Sequence, residues 1–263
     1  MHVITRNVLI TACLVFTGMV CAFEVALEFS AEAVQQVPMR PEYRANMYVS
    51  KDAVRTESTL NGTQVIEIVK SKQQTRLLLV PKDKIYIQQQ KTGQSNTKVS
   101  DVQSVNPCEG MQGTTCKKLA DETINDRKTE KWEFTMERNG QNFRSLHWID
   151  VKRRMPIREF YPDGTVTELN MQANETINGR NTEKWVMQMT RADGQQVTST
   201  QWYDPELKIA IREEMQGGYV RELRNIKVGK QDKALFEVPS GYTLAQQLPP
   251  YLMPQQPAGY PGQ

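Results

Sequence analysis

Apolar and polar residues alternate with a period of two along most of this chain. Phe23, Val25, Leu27 and Phe29 fall on one side of an extended segment, with Glu24 and Glu28 on the other. A break at Val37-Pro-Met-Arg-Pro41 follows. The same alternation then predicts strands over 45–49, 53–57, 65–69, 75–80 and 84–87, with a tight hairpin at Asn61-Gly62, where both residues tolerate positive φ. Residues 88–107 are rich in Gln, Ser and Lys and lack apolar periodicity, which predicts a long connection with a short helical turn.

The second half of the chain is written twice. Glu122-Thr-Ile-Asn-Asp-Arg-Lys-Thr-Glu-Lys-Trp132 returns as Glu175-Thr-Ile-Asn-Gly-Arg-Asn-Thr-Glu-Lys-Trp185, so Trp132 and Trp185 are 53 residues apart. Farther on the offset becomes 54: Trp148 matches Trp202, Ile157-Arg-Glu159 matches Ile211-Arg-Glu213, and Glu168-Leu169 matches Glu222-Leu223. The extra residue fits Arg191-Ala-Asp-Gly194 standing where the first copy has Arg138-Asn-Gly140. Insertions fall in turns because one added residue within a strand would flip every later side chain to the other face. Each copy predicts four strands: 129–137, 141–149, 155–161 and 165–171 in the first, and 182–190, 195–203, 207–214 and 219–226 in the second. Short connections make sequence neighbours antiparallel neighbours in space.

The first 22 residues stand apart. Arg6 precedes an apolar run over 8–20, and Val20-Cys-Ala22 offers small residues for cleavage. This is the form of a secretory signal peptide cut after Ala22, which makes the mature protein exported, with a periplasmic location. A retained anchor helix and a lipidated Cys21 are the competing readings, the second weakened by the bulk of Val20. Past the signal, Cys108 and Cys116 flank a Gly-containing loop without nearby histidine. In an exported protein that pattern predicts a disulfide rather than a metal site, contributing about 2–3 kcal/mol through loop closure. No metal or cofactor is expected. Residues 23–243 form one β domain, with repeats at 119–171 and 172–226, and residues 244–263 form a disordered Pro/Gln-rich tail.

Charge changes the picture little. The 33 Lys and Arg against 30 Asp and Glu are interspersed, which argues against nucleic acid as a partner. Two recurring features carry candidate chemistry. Trp132, Phe134 and Met136 lie on one face of their strand, echoed by Trp185, Met187 and Met189, and form either a ligand-binding apolar face or core. Arg55, Arg158 and Arg212 each follow an apolar residue and are expected to pair across strands, with Glu57, Glu159 and Glu213 as available partners. For catalysis the mature chain has one histidine, His147, two residues from Ser145 on the same face. A Ser–His pair needs an orienting carboxylate and an oxyanion hole, and neither is visible in the sequence. The chain is therefore not expected to be an enzyme.

Several segments resemble a known family. Phe29-Ser-Ala31, Tyr48-Val-Ser-Lys-Asp-Ala-Val-Arg55, Leu77-Leu-Leu-Val-Pro-Lys-Asp-Lys-Ile-Tyr86 and Phe236-Glu-Val-Pro-Ser-Gly-Tyr242 are similar to the outer-membrane lipoprotein-sorting (LolA/LolB-like) superfamily, especially its uncharacterised periplasmic members. The resemblance covers residues 23–243. It implies a half-open antiparallel barrel with helices closing an apolar hollow, and a carrier for acyl chains. Short helical content and the regular repeats depart from the true carriers.

The expectation is thus a mainly β protein with a large curved antiparallel meander sheet, few short helices and an internal repeat. It binds lipid or lipoprotein acyl chains on its concave face through Trp132, Phe134, Met136, Trp185, Met187 and Met189, with peripheral or transient membrane contact at most. The competing expectation is a periplasmic envelope interaction or stress-sensing module without lipid cargo, using the tail and charged strand faces to dock another protein.

Overall fold

The computed structural model describes residues 26–90, 107, 113–138 and 140–253. It consists of β1 (Phe29–Gln36), β2 (Tyr43–Val49), β3 (Ala53–Leu60), β4 (Thr63–Lys70), β5 (Thr75–Val80) and β6 (Ile85–Gln90), followed by β7 (Thr114–Ile124), β8 (Arg127–Arg138), β9 (Gln141–Asp150), β10 (Pro156–Phe160) and β11 (Val166–Ile177). Then come β12 (Arg180–Thr190), β13 (Gln196–Asp204), β14 (Ile209–Met215), β15 (Tyr219–Val228) and the two-residue β16 (Thr243–Leu244). Single-turn 3-10 helices cover Lys233–Phe236 and Pro250–Leu252.

All sixteen strands belong to one curved sheet, ordered β16-β6-β5-β4-β3-β2-β1-β15-β14-β13-β12-β11-β10-β9-β8-β7. Two meanders therefore meet where β1 pairs β15, with Ala33 opposite Leu223 and Val34 opposite Glu222. Pairing is antiparallel throughout except at β16, which runs parallel to β6. The sheet does not close: β16 and β7 end it without pairing to each other.

Turn chemistry explains the regularity. Asn61-Gly62, Asn125-Asp126 and Asn178-Gly179 all hold two consecutive positive φ angles, 51° and 73°, 49° and 59°, and 50° and 75°. Two such residues make the type I′ turn whose twist matches that of the flanking strands. The repeated Glu-Thr-Ile-Asn motif is thus a hairpin tip: β8 and β12 begin two residues before the expected 129 and 182, and a strand precedes each turn. Sequence pattern did not reveal β7. As an outermost strand it exposes both faces, so Lys117, Lys118, Asp121 and Glu122 replace any apolar alternation.

β11 serves both repeats. Its first half ends copy one as β15 ends copy two, and its second half matches β7 in pairing and irregularity. Register shifts recur at equivalent places, between Lys118 and Ala120 and between Met171 and Ala173. A second duplicated shift sits at Ile157 and Ile211, both almost fully buried. A bulge re-aims the strand and sharpens its twist, so duplicating it curves the sheet equally in both copies.

The core is divided. Phe29, Val49, Leu207, Ile211 and Leu223 pack where the two meanders join. At the β16 edge, Phe236 packs on Ile66, Ile68, Leu77 and Leu79, while Leu252 packs on Val65 and Val80. This corrects the expected tail. Residues 244–253 stay on the domain because β16 adds to the sheet edge and Leu252 plugs an apolar gap at 3% exposure. Residues 1–25, 91–106 and 254–263, with the expected signal, helical turn and remaining tail, lie outside the described residues, as does Cys108. The first strand starts at Phe29, with Leu27 still packed against the central cluster. Leu252→Ala should lower stability by about 2–5 kcal/mol in urea denaturation, as for other buried leucines.

Candidate functional site

Residues opposite each other in a sheet share a face, so the ladder fixes which side chains meet. Trp132 stands opposite His147, His147 opposite Glu159, Glu159 opposite Thr167, and Thr167 opposite Met189. Phe134 stands opposite Ser145, Met136 opposite Phe143, and Met187 between Leu169 and Ser199. All six residues of the expected apolar stripe therefore share one face. The face is graded. Trp132 and Trp185 are buried, at 5% and 0% exposure, whereas Phe134, Met187 and Met189 are half-buried and Met136 is 51% exposed.

The buried tryptophans are held by charge. Arg127 and Arg153 place their guanidinium carbons 4.5 Å and 5.5 Å from the Trp185 ring centre, and the Trp185 indole N–H donates to Glu183 over 3.1 Å. Arg153 also pairs bidentately with Glu183. Trp132 donates to Glu130 at 3.3 Å. Such cation–π and charge-assisted contacts fix the rings as structure.

The opposite face carries the second tryptophan of each copy. Trp148 donates to Glu122 at 2.6 Å and Trp202 to Glu175 at 2.7 Å. The other oxygen of each carboxylate accepts from Lys131 or Lys184, at 3.1 and 3.0 Å, and each ammonium lies over the tryptophan of its own copy. Thr129 and Thr182 return a hydroxyl bond to the carbonyls of Glu122 and Glu175, and Arg127 and Arg180 reach Asp150 and Asp204. Four positions of the repeated motif, Glu122, Arg127, Thr129 and Lys131 with their counterparts Glu175, Arg180, Thr182 and Lys184, thereby join one clamp across three strands in each copy. Hydrogen bonds from the indole and the lysine lower the pKa of both Glu122 and Glu175.

The strand arginines all form ion pairs: Arg55 keeps its expected partner, though along its own strand, while Arg158 and Arg212 take other partners. Arg55 meets Glu57 at 2.7 Å and the Leu235 carbonyl. Arg158 meets the directly opposite Glu168 instead of Glu159, and Arg212 meets Glu222 and Glu214 instead of Glu213. Alternation puts Glu159 and Glu213 on the other face, where Glu213 binds Arg221.

Glu159 is also a functional candidate absent from the sequence reading. Its carboxylate lies 3.0 Å from His147 Nδ1, while His147 Nε2 lies 2.7 Å from Ser145 Oγ. The orienting carboxylate thus comes from the next strand, a signal available only through register. Phe134 and His147 ring centres are 4.1 Å apart, and Tyr161 meets the imidazole edge-on at 5.9 Å. Burial, together with the charge of Glu159 and a bond to it, pushes the Tyr161 phenol up to about 12. Among the described residues, no group of His, Cys, Asp and Glu could hold a metal, and no helix is long and apolar enough to cross a membrane.

No family model matches the chain, and no curated protein matches it. Solved structures do. A LolA superfamily protein, NE2245 from Nitrosomonas europaea, is 13% identical over 80% of this chain and 89% of its own, with a TM-score of 0.33. A putative outer membrane lipoprotein-sorting protein domain from Vibrio parahaemolyticus is 11% identical over 81% and 90%, also at 0.33. A DUF1329 family protein from Desulfovibrio piger ATCC 29098 gives 12% identity over 80% and 90%, at a TM-score of 0.30. These similarities speak to strand arrangement and carry no argument about activity.

The carboxylates set an acid limit. Burial would raise the pKa of Glu183, but Arg153 and the Trp185 indole outweigh it, and Asn178 and Arg224 do the same for Glu222. Depressed folded-state values stabilise the fold above the ordinary glutamate range, and that stabilisation is lost as pH falls through them. Thermal melting should therefore hold near neutrality and drop below about pH 4.5. Arg153→Met should melt earlier at pH 7, with its deficit against the parent shrinking as Glu183 protonates.

Proposed function

We propose that the chain is an exported periplasmic protein, cleaved after Ala22, that takes lipid or lipoprotein acyl chains onto the face bearing Phe134, Met136, Met187 and Met189. It acts as a carrier or chaperone. The observation that carries this reading is the graded face. Its tryptophan base is buried, Trp185 under two arginines and Trp132 bonded to Glu130, while its flexible methionines and Phe134 keep apolar area in solvent. Among the described residues, the two 3-10 turns are the helical cover, and they pack at β3–β6 rather than over β8–β13. The lipoprotein side of the reading comes from the strand motifs of the sequence; lipoprotein sorting is also the named role of the Vibrio domain.

Magnitudes allow it. Each methylene buried contributes about 0.8 kcal/mol, so about ten give ~8 kcal/mol, the scale of micromolar binding before association costs. Methionine suits chains of varied length because its unbranched thioether adapts to shape. In this reading the domain extends from residue 23 to 253, and Cys108 pairs with Cys116, which stands on β7 opposite Phe134.

An envelope protein partner is the second reading, favoured by β7. Its eleven residues form the outermost strand at that end of the sheet, among the described residues, and a free strand edge can accept an added strand from a partner.

Titration with a fluorescent fatty acid distinguishes the face. Met136→Asp with Met189→Asp should raise the dissociation constant at least ~10-fold, since a charge in an apolar site costs more than 1.4 kcal/mol, while the melting temperature stays unchanged. Unaltered affinity would remove the face from the reading. Trp185→Ala is unsuitable for this purpose, because a fully buried ring reports on folding.

A further inference from the structure

The Ser145–His147–Glu159 cluster goes beyond binding, and we infer that it makes Ser145 an activated nucleophile that cleaves acyl esters slowly. The nitrogen order is the first ground. Nδ1 faces the Glu159 carboxylate, which accepts only, so it carries the proton. Nε2 is left as an acceptor 2.7 Å from Ser145 Oγ, whose hydroxyl donates to it. Tyr161 stands edge-on to the same imidazole, ring centres 5.9 Å apart, and burial with the nearby Glu159 charge pushes its phenol up to about 12.

The duplication supplies the second ground, as an internal control. Ser199, Gln201, Glu213 and Met215 occupy the equivalent positions in copy two. There Glu213 faces Arg221 across the ladder and pairs with it. In copy one the equivalent position is Thr167, opposite Glu159, and its buried hydroxyl has no partner. Replacing arginine by threonine leaves Glu159 to the imidazole. Histidine, the free carboxylate and tyrosine thus occur together in one copy and are all absent from the other.

The chemistry balances with water as the only co-reactant. Ser145 Oγ bonds to the ester carbonyl carbon as its proton passes to His147 Nε2. The bond to the alcohol then breaks, and the alcohol leaves with that proton. Water attacks the acyl-serine while giving a proton to Nε2, and the carboxylic acid departs as Ser145 regains a proton. Phe134, directly opposite Ser145, with Met136 and Phe143 beyond it, selects an apolar acyl group. Leu146–Ile149 pair with strands on both sides, which commits neighbouring amides to the ladder and leaves no ready oxyanion hole among the described residues. Lacking one costs about 10²–10³ in rate, so esters with good leaving groups react and amides do not.

The test exposes the protein to an alkyl fluorophosphonate and to 4-nitrophenyl octanoate, then maps modified peptides by mass spectrometry. Ser145 should be phosphonylated and Ser199 should not. Ser145→Ala should abolish ester turnover. His147→Gln, which installs the copy-two residue, should slow labelling at least ~100-fold and remove its rise with pH, with circular dichroism unchanged. Glu159 is a positioning residue: Glu159→Gln should slow labelling and displace the pH profile, and Glu159→Asp should restore part of the rate. An unlabelled Ser145, equal labelling of Ser145 and Ser199, or indifference to His147→Gln would overturn the assignment. Acyl binding could still hold in that case, since the fatty-acid titration does not depend on Ser145.

Discussion

A single sheet of sixteen strands, with no second layer of sheet or helix over most of its area among the described residues, must hold its curvature by contacts within its own faces. The Glu175 carboxylate shows how. It spans from the turn-side end of β11 to the indole of Trp202 two strands away, with Lys184 clasped between them. Glu122, Trp148 and Lys131 repeat the clamp one copy earlier. Lateral bridges of this kind do the work that a packed layer does in a sandwich, where buried area from two sheets supplies the cohesion. Everything else follows from that constraint: tryptophan on both faces, arginines over indoles, and bulges repeated at matching positions.

The same constraint leaves one face incomplete. Near the hairpin turns at Asn125 and Asn178 the apolar side chains are sealed against charge networks, and toward the other hairpin ends they open into Phe134, Met136, Met187 and Met189. A face graded from fixed to adaptable separates the residues that hold shape from those free to meet a ligand. Trp132 and Trp185 belong to the first group despite lying on the stripe, because their rings are already covered. The polar cluster around His147 sits between these zones, beside Phe134, where an acyl group would pass.

Much of this architecture was legible in the chain. Period-two alternation and the 53- and 54-residue offsets located most strands, and Asn-Gly and Pro-Asp-Gly sequences located turns. What escaped has physical causes. β7 is polar because, apart from Ile124, little packs on either of its faces. The Asn125-Asp126 turn carries Asp where a type I′ turn usually has Gly, so its second positive φ of 59° left no glycine signal in the chain. Leu252 lies among prolines that suggest disorder, and its burial depends on a gap between Val65 and Val80 made by distant strands. Glu159 could be assigned to His147 only once register was fixed, since Arg158 stands beside it and favours a simpler ion pair by spacing alone. The absence of a visible triad in the sequence thus excluded less than it seemed to.

Native mass spectrometry of the protein isolated from its own host, followed by organic extraction, tests acyl binding most directly. The account requires mass in excess of the mature chain that solvent releases as lipid or acylated peptide, and that is lost in a variant carrying Met136→Asp and Met189→Asp. A bare chain from cells in which the protein is fully folded, with no extractable lipid at any membrane composition tried, would contradict it.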